Sequence, residues 1–284
     1  MRLLILGGSG MLGHQLWRGL HAQHDTWVTL RRPVADFAVH NLFDEAKAIQ
    51  LDDITDDTAL ERALGQAKPE AVINCVGLIK QRDEASDEAL TLRVNAEFPH
   101  RLAKRCGEAG ARLIHFSTDC IFAGTKGNYT ESDPSDAADL YGQSKHQGEV
   151  ADAHSVTLRT SVIGHELATN LALLDWFLSQ HGQAISGFTK AIYSGFTTLE
   201  MARIVDRILT QHPALSGVWH VASESISKFA LLQLCREKLG WEGVIEPNDE
   251  FVCDRSLNAD RFNQATGYTP PSWEAMISEL AQQS

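Results

Sequence analysis

The apolar positions of this chain fall in short runs separated by stretches of helical spacing. Leu3 to Leu6, Thr26 to Leu30, Ala71 to Cys75, Arg112 to Phe116 and Ser155 to Leu158 are strand-like, and a helical pattern follows each. Alternation of this kind builds βαβ units around a parallel sheet. Runs such as AVINCVG and RLIHF are apolar on both alternating faces, the mark of strands covered by helices on each side. A helical period runs through Met11 to His21, Glu88 to Glu108, Leu140 to Ala153 and Leu199 to Leu209. After Gly164 the rhythm loosens. Gly182 to Phe196 is rich in Gly, Ser and Thr, and short elements continue through VWHVAS, a helix over Lys228 to Leu239, and the Pro270-Pro271 turn before a last helix. The pattern predicts an α/β fold: a Rossmann-type doubly wound parallel sheet over residues 1–165, and a smaller carboxyl-terminal lobe over residues 166–284 interleaved with the end of that sheet. The boundary falls near 160–170. No internal repeat or low-complexity tract interrupts it.

Charge narrows the partners. Against 37 Asp and Glu stand 25 Lys and Arg, a net −12 over 284 residues with 43% hydrophobic and 22% charged positions. That is an ordinary acidic globular composition. With no basic run to offset it, such a chain is repelled by phosphate backbones and anionic membrane faces, so neither nucleic acid nor membrane is an expected partner. The longest apolar stretch, Ala71 to Ile79, is about half of the roughly 20 residues a spanning helix needs. Met1 to Leu6 runs straight into glycines with no basic leader or cleavage site, and reads as a first strand. Five cysteines with no C-x-x-C pair and no histidine at zinc spacing fit free thiols in a reducing, cytoplasmic compartment. The expectation is no disulfide and no metal.

LLILGGSGMLGHQL places a glycine-rich turn between a strand and an amphipathic helix, the context in which such a motif binds a dinucleotide. Two registers fit: Gly8, Gly10 and Gly13, or Gly7, Gly10 and Gly13. Either way a side chain would block the tight turn, the approach of backbone to a diphosphate, or the packing of helix on strand. Gly7, Ser9, Gly10, Met11 and Gly13 are the candidate contacts, with the helix amino end supplying N–H donors to phosphate. The alternative is a merely flexible βα turn. Cofactor choice is written near the end of the second strand, where an acid holds the ribose of NAD. Here WVTL ends in Arg31 and Arg32, whose guanidinium groups suit a 2′-phosphate. NADP(H) is favoured, NAD(H) stays open, and two solvated loop arginines are the bland reading. LDDITD offers Asp53 and Ile54 to the adenine at the end of a third strand, while an N-cap role for one of these aspartates competes.

The most specific signal is Tyr141-Gly-Gln-Ser-Lys145, preceded by RLIHFSTDCIF. Four residues on a helix place Tyr141 and Lys145 on one face. A phenol titrates near 10 unaided. A cation about 4 Å away is worth about 4 kcal/mol at an effective dielectric of 20, enough to draw the phenol down toward neutrality, where it can exchange protons. Thr118 ends a strand at the edge where open parallel sheets bind ligands, so its hydroxyl can steady a substrate oxygen.

GGSGMLG, VINCVG, VNAEFPHRLA, HFSTDCIFAG, YTESDP, YGQSKHQGE and LRTSVIG resemble, in this order, the extended short-chain dehydrogenase/reductase family. Within it the chain is most similar to the dTDP-4-dehydrorhamnose reductase group, and GFTTLEMARIVDRIL, GVWHVAS and DRSLNADRFNQATGYTPPSWEAMI resemble that group's substrate lobe. The resemblance implies Thr118, Tyr141 and Lys145 as the catalytic set, and Cys75, Val76 and Gly77 beside nicotinamide and ribose. It further implies hydride transfer to C4 of a nucleotide-linked 4-keto-6-deoxysugar, with Tyr141 as proton donor, in surface polysaccharide assembly. Dehydratases of the family carry Asp-Glu after the threonine; here Asp119 precedes Cys120, which disfavours dehydration. C4 epimerisation uses the same three residues and remains an alternative, as does a non-catalytic, NADP-binding regulatory subunit.

Other residues carry two readings each. Asn95 either kinks its helix and orders water near Lys145, as a cofactor-side residue, or is a surface asparagine. Arg255 in CDRSLNADRF joins Thr118 and Asp119 as a substrate-binding candidate, here for the diphosphate, or is an ordinary surface ion pair. Cys75 and Cys120 read as small apolar groups beside the cofactor, His14 as a first-turn helix residue without a role, and Trp176 and Trp219 as core. The nucleotide, the sugar and the oligomeric state are unread, with a homodimer left open.

Overall fold

A computed structural model describes residues 1–81 and 83–283. Contact density divides the chain into two compact units: residues 1–117, 139–158 and 202–218 in the first, residues 118–138, 159–201 and 219–284 in the second. Residue 165 lies inside the second.

Seven strands form the main sheet: β1 (Arg2–Leu6), β2 (Asp25–Leu30), β3 (Ala48–Gln50), β4 (Ala71–Asn74), β5 (Arg112–Thr118), β6 (Ser155–Thr160) and β7 (Gly217–His220). Their order is β7-β6-β5-β4-β1-β2-β3, and the β1/β2, β2/β3, β1/β4 and β4/β5 pairs are parallel. The strand order reverses across β1, as in doubly wound sheets, and a crevice at the carboxyl ends follows from it. The five predicted strands are all present. Leu3, Leu4, Ile5 and Leu6 are fully buried, as a two-sided strand requires. Leu4 and Leu6 face a core with Leu60 and Leu64 of α2 (Asp57–Ala67), Val72, and Phe98 and Leu102 of α4 (Phe98–Ala109). α1 (Met11–Leu20) buries Leu16, Trp17 and Leu20.

Two predicted helices are interrupted. The stretch predicted as one helix over Glu88 to Glu108 is α3 (Glu88–Leu92), a π-helical turn (Arg93–Glu97) and α4. Pro99 explains the change of register: it has no N–H to give the carbonyl of Asn95 four residues earlier. The helix predicted over Leu140 to Ala153 stops early, as α5 (Leu140–Gln147). Gly148 lies so close to the freed Asn95 carbonyl that a Cβ there would sit 1.9 Å from the oxygen. Beyond it Val150 leaves the helical ladder, donates its N–H to Thr157 Oγ1 and enters the core.

In the second unit lie α6 (Leu173–Ser179), α8 (Lys228–Leu239), α9 (Asp260–Thr266), α10 (Trp273–Ala281) and the start of α7 (Thr198–Gln211). The Gly, Ser and Thr-rich stretch forms short strands, with Ala184–Phe188 parallel to Val244–Asn248 and Ala191–Tyr193 between Ile226–Ser227 and Cys253–Asp254. Phe122 stacks on Tyr129 at 4.1 Å in this unit's core. Trp219 is buried as expected, but Trp176 is 38% exposed on α6. All five cysteines are free. No helix among the described residues is long and apolar enough to cross a membrane.

Candidate active site

The glycine turn joins β1 to α1 in the Gly7, Gly10, Gly13 register. Gly7 has φ +81°, Gly10 N donates to Gly7 O at 3.1 Å, and a Cβ on Gly13 would stand 2.2 Å from that same oxygen. Gly8 is needed for a different reason: its Cβ would strike the Val28 side chain at 2.0 Å. Gly10 is the N-cap of α1, with no side-chain acceptor and no acid in the first turn. The helix amino end therefore presents backbone donors without a competing carboxylate. Ser9 and Met11 flank this partly open turn. His14 is buried and turns its Nδ1 to Gly10 O within its own helix.

Val76 packs on the turn, since a Cβ on Gly7 would reach Val76 Cγ2 at 3.0 Å. A Cβ on Gly77 would lie 3.4 Å from Asn95 Oδ1 and 3.9 Å from Lys145 Nζ, so the segment Cys75–Gly77, Asn95 and Lys145 converge. Asn95 is fully buried, which removes the surface reading. Its Oδ1 accepts from Leu78 N at 2.9 Å, and its Nδ2 donates to Leu78 O at 3.0 Å and to Ser144 Oγ at 3.3 Å. The π-turn aims this amide, which pins the segment after β4 to α5.

Asp139 caps α5 by accepting from Gly142 N at 2.8 Å, which sets the start of the helix one residue before Tyr141. Lys145 is buried and donates to Phe116 O at 2.6 Å near the end of β5. Burial pulls its ammonium down to about 8, and Glu149 and Cys75 only partly offset this. Desolvation pushes the Cys75 thiol well up despite Lys145, so it is an apolar neighbour and no nucleophile. Beneath lies His115, held far below its usual value by burial and by Lys145, its Nδ1 accepting from Asn74 Nδ2 at 3.1 Å. A cavity of about 470 Å³ opens beside Tyr141, Lys80 and Asp139.

Arg31, Arg32 and Asp53 are turned to other partners. Arg31 lies 3.8 Å from Glu84, while Arg32 lies 3.7 Å from Asp36 and stacks over Phe37. Asp53 and Ile54 stand beyond the end of β3, which stops at Gln50. Asp53 accepts from Thr55 N and Thr55 Oγ1, bonds that hold its carboxyl below the usual range, and Ile54 packs on the core. The N-cap role belongs to Asp56, at the start of α2.

Thr118, Asp119 and Arg255 belong to the second unit. Thr118 ends β5, accepts from Cys120 N at 3.1 Å and donates to Asp119 Oδ1 at 3.3 Å. Asp119 is buried. Arg255 Nε donates to Phe122 O at 2.7 Å and Nη1 approaches Cys120 Sγ at 3.5 Å. Thr118, Asp119, Cys120 and Arg255 thus form one cluster. Sequence reasoning passed over Asp139 and Ser144. The first had a signal, an aspartate just ahead of a helical run; the buried hydroxyl of Ser144 had none.

A doubly wound parallel sheet with a glycine turn after its first strand and a Tyr–Lys helix after its fifth defines a Rossmann-type nucleotide-fold protein. The chain belongs to the family described as the RmlD substrate binding domain, which matches residues 1–284. This bears out the resemblance read from the motifs. The dTDP-4-dehydrorhamnose reductase of Streptomyces griseus is 33% identical over 151 residues, 53% of this chain and 44% of that protein, so the matched stretch is just under half that relative's length. A solved structure described as a hypothetical dTDP-4-dehydrorhamnose reductase from Sulfolobus tokodaii is 26% identical with a TM-score of 0.79, covering 97% of this chain and 99% of its own. The dTDP-4-dehydrorhamnose reductase of Bacillus anthracis, solved in complex with NADP, shares the fold at 20% identity and a TM-score of 0.80, covering 100% of this chain and 98% of that one.

Proposed function

We propose that the protein is an NADP(H)-preferring reductase of a nucleotide-linked 4-keto-6-deoxysugar, like the dTDP-4-dehydrorhamnose reductases it resembles. The observation that carries the reading is Lys145: a buried ammonium held by Phe116 O, one helical turn from Tyr141 and beside Gly77. An acidic or apolar helix would have no reason to bury that charge, and doing so is unfavourable unless the charge has work.

The residues present fit a nicotinamide dinucleotide. The uncapped, acid-free start of α1 and the side-chain-free turn from Gly7 to Gly13 suit a diphosphate. Arg31 and Arg32 would reach a 2′-phosphate by exchanging Glu84 and Asp36 for it, and Cys75, Val76 and Gly77 would flank the nicotinamide ribose. When bound, NADPH supplies the hydride that reduces C4 of the sugar. Tyr141 gives its proton to the carbonyl oxygen, and Lys145 favours the phenolate left behind. Thr118 takes the role of donor to a substrate oxygen after its hydroxyl turns from Asp119, and Arg255 that of a diphosphate partner. With Cys120 after Asp119, the acid needed to eliminate water is missing from its family position.

Mixing the protein with NADPH and a panel of 4-keto-6-deoxysugar nucleotides tests this. The absorbance of the reduced nicotinamide should fall with at least one of them. Its persistence with every sugar, together with no rise in melting temperature on adding NADP(H), would sink the proposal.

A further inference from the structure

Lys80 lies in the segment after β4, which none of the motifs assigns. Its ammonium is 2.6 Å from Asp139 Oδ2 and lies over the face of Tyr141, 5.5 Å from the ring centroid. The other oxygen of Asp139 caps α5. One carboxylate thus fixes both the start of the helix that carries Tyr141 and the cation lying over that ring. Lys80, Asp139 and Tyr141 line the same cavity, with Leu78, Ser86 and Thr91. As an ion pair, Lys80 and Asp139 explain little: their side chains are 38% and 43% exposed, where such pairs add hardly any stability. The stacking on the ring is the part that stability leaves unexplained. A cation over an aromatic face is held by the ring's negative quadrupole, and more strongly once the ring is a phenolate.

We propose that Lys80 is a positioning residue for Tyr141: oriented by Asp139, its ammonium lies over the ring and favours release of the phenol proton into the cavity they line. This rests on Tyr141 being the proton donor. Among the described residues, Lys145 and Lys80 then act on one phenol from different elements. Lys145 acts from the same helix and loses its proton as pH passes about 8; Glu149, Cys75 and His115 surround it. Lys80 acts across the cavity, tempered by the Asp139 carboxylate. Among the described residues, α3 and the π-turn, packed on α5, bring the uncharged Thr91 and Asn95, and Ser86 lines the same cavity. Arg93 of that turn is exposed and acts on Asp53.

The test reads Tyr141 itself, in the protein without cofactor or sugar. Phenolate absorbance is titrated in the wild type and in Tyr141→Phe, and their difference gives the ionisation of Tyr141. The same difference is taken between Lys80→Met and the Lys80→Met, Tyr141→Phe double variant. The expected result is a titration moved up by about half to one pH unit in Lys80→Met, a three- to tenfold loss of acidity, which Lys80→Arg restores because a guanidinium also stacks on the ring. With a reducible sugar, kcat falls by about the same factor while KM stays nearly constant. A Lys80→Met titration that superimposes on the wild type overturns the proposal, even if the melting temperature drops. So does a Lys80→Arg variant that behaves as Lys80→Met. Neither outcome depends on whether any keto sugar is turned over.

Discussion

Between β1 and α1 the chain is shaped by side chains that are absent. Around α5 it is shaped by side chains brought together from distant segments. The glycine turn is one local stretch in which a single added Cβ meets backbone at 2.2 Å. The Tyr141 helix is placed by Asp139 at its start, Asn95 through Ser144, Phe116 through Lys145, and Gly148 at its end. The first region leaves no room for a side chain at Gly8 or Gly13, against Val28 and the backbone of Gly7. The second holds a charge whose burial costs stability, a cost that the proposed chemistry would account for.

The sharpest break of this comparison is chemical. Tyr141→Phe removes one oxygen from a half-buried side chain and should leave the fold intact, while turnover falls by about 10²- to 10⁴-fold, the range of a positioned general acid. Steady-state rates with unchanged circular dichroism check it. Wild-type reduction should also decline as pH rises through about 8, because the Lys145 ammonium that favours the phenolate is the protonated form and is lost above that value. A rate still flat well above pH 8 would separate Lys145 from the chemistry.

Lys145→Met sharpens the contrast, since function and stability should move in opposite directions. Burial lowers the ammonium from 10.5 to about 8, so the folded state disfavours the proton. The sign follows from linkage: below about pH 8 both folded and unfolded chains carry the charge and the full penalty is present, and it fades as pH rises toward 10.5. A shift of that size corresponds to about 3 kcal/mol, less what the lost bond to Phe116 O contributed. The variant should therefore lose turnover yet melt several degrees higher at pH 7, with the gain shrinking in alkali. A lower melting temperature at pH 7 would show that the lysine is structural.

The same contrast explains what was legible in the sequence. The turn could be read because its glycine spacing, with Gly13 packed on Gly7, lies in one short stretch, and Tyr141 and Lys145 because helical spacing alone puts them together. The early end of α5 could not, because its cause is Gly148 meeting a carbonyl that Pro99 frees far away in the chain. Asn95 was singled out, but its burial and its hold on Leu78 depend on the π-turn, which a helical period does not reveal. α2 went unpredicted because much of its buried face is alanine, Ala59, Ala63 and Ala67, which contrasts weakly with its polar face. Asp53 sat past the third strand because β3 is only three residues long. Lys80 carried no signal at all: its meaning lies in Asp139 and Tyr141, which only folding brings near.

Glycines offer the smallest and most direct measure of the local half of the comparison. Gly13→Ala puts a Cβ against the backbone of Gly7, where nothing flexible can yield, and should cost about 1–3 kcal/mol and weaken dinucleotide binding. Gly65 sits in α2 with nothing within 4 Å of its added Cβ. Gly65→Ala therefore meets no clash and gains only the helix preference of alanine, so it should stabilise by up to about 1 kcal/mol. Thermal melts of the two variants beside the wild type decide the matter. If both alanines raise the melting temperature, Gly13 is no closer-packed than an exposed helical glycine, and the turn is then held by something other than the missing side chain.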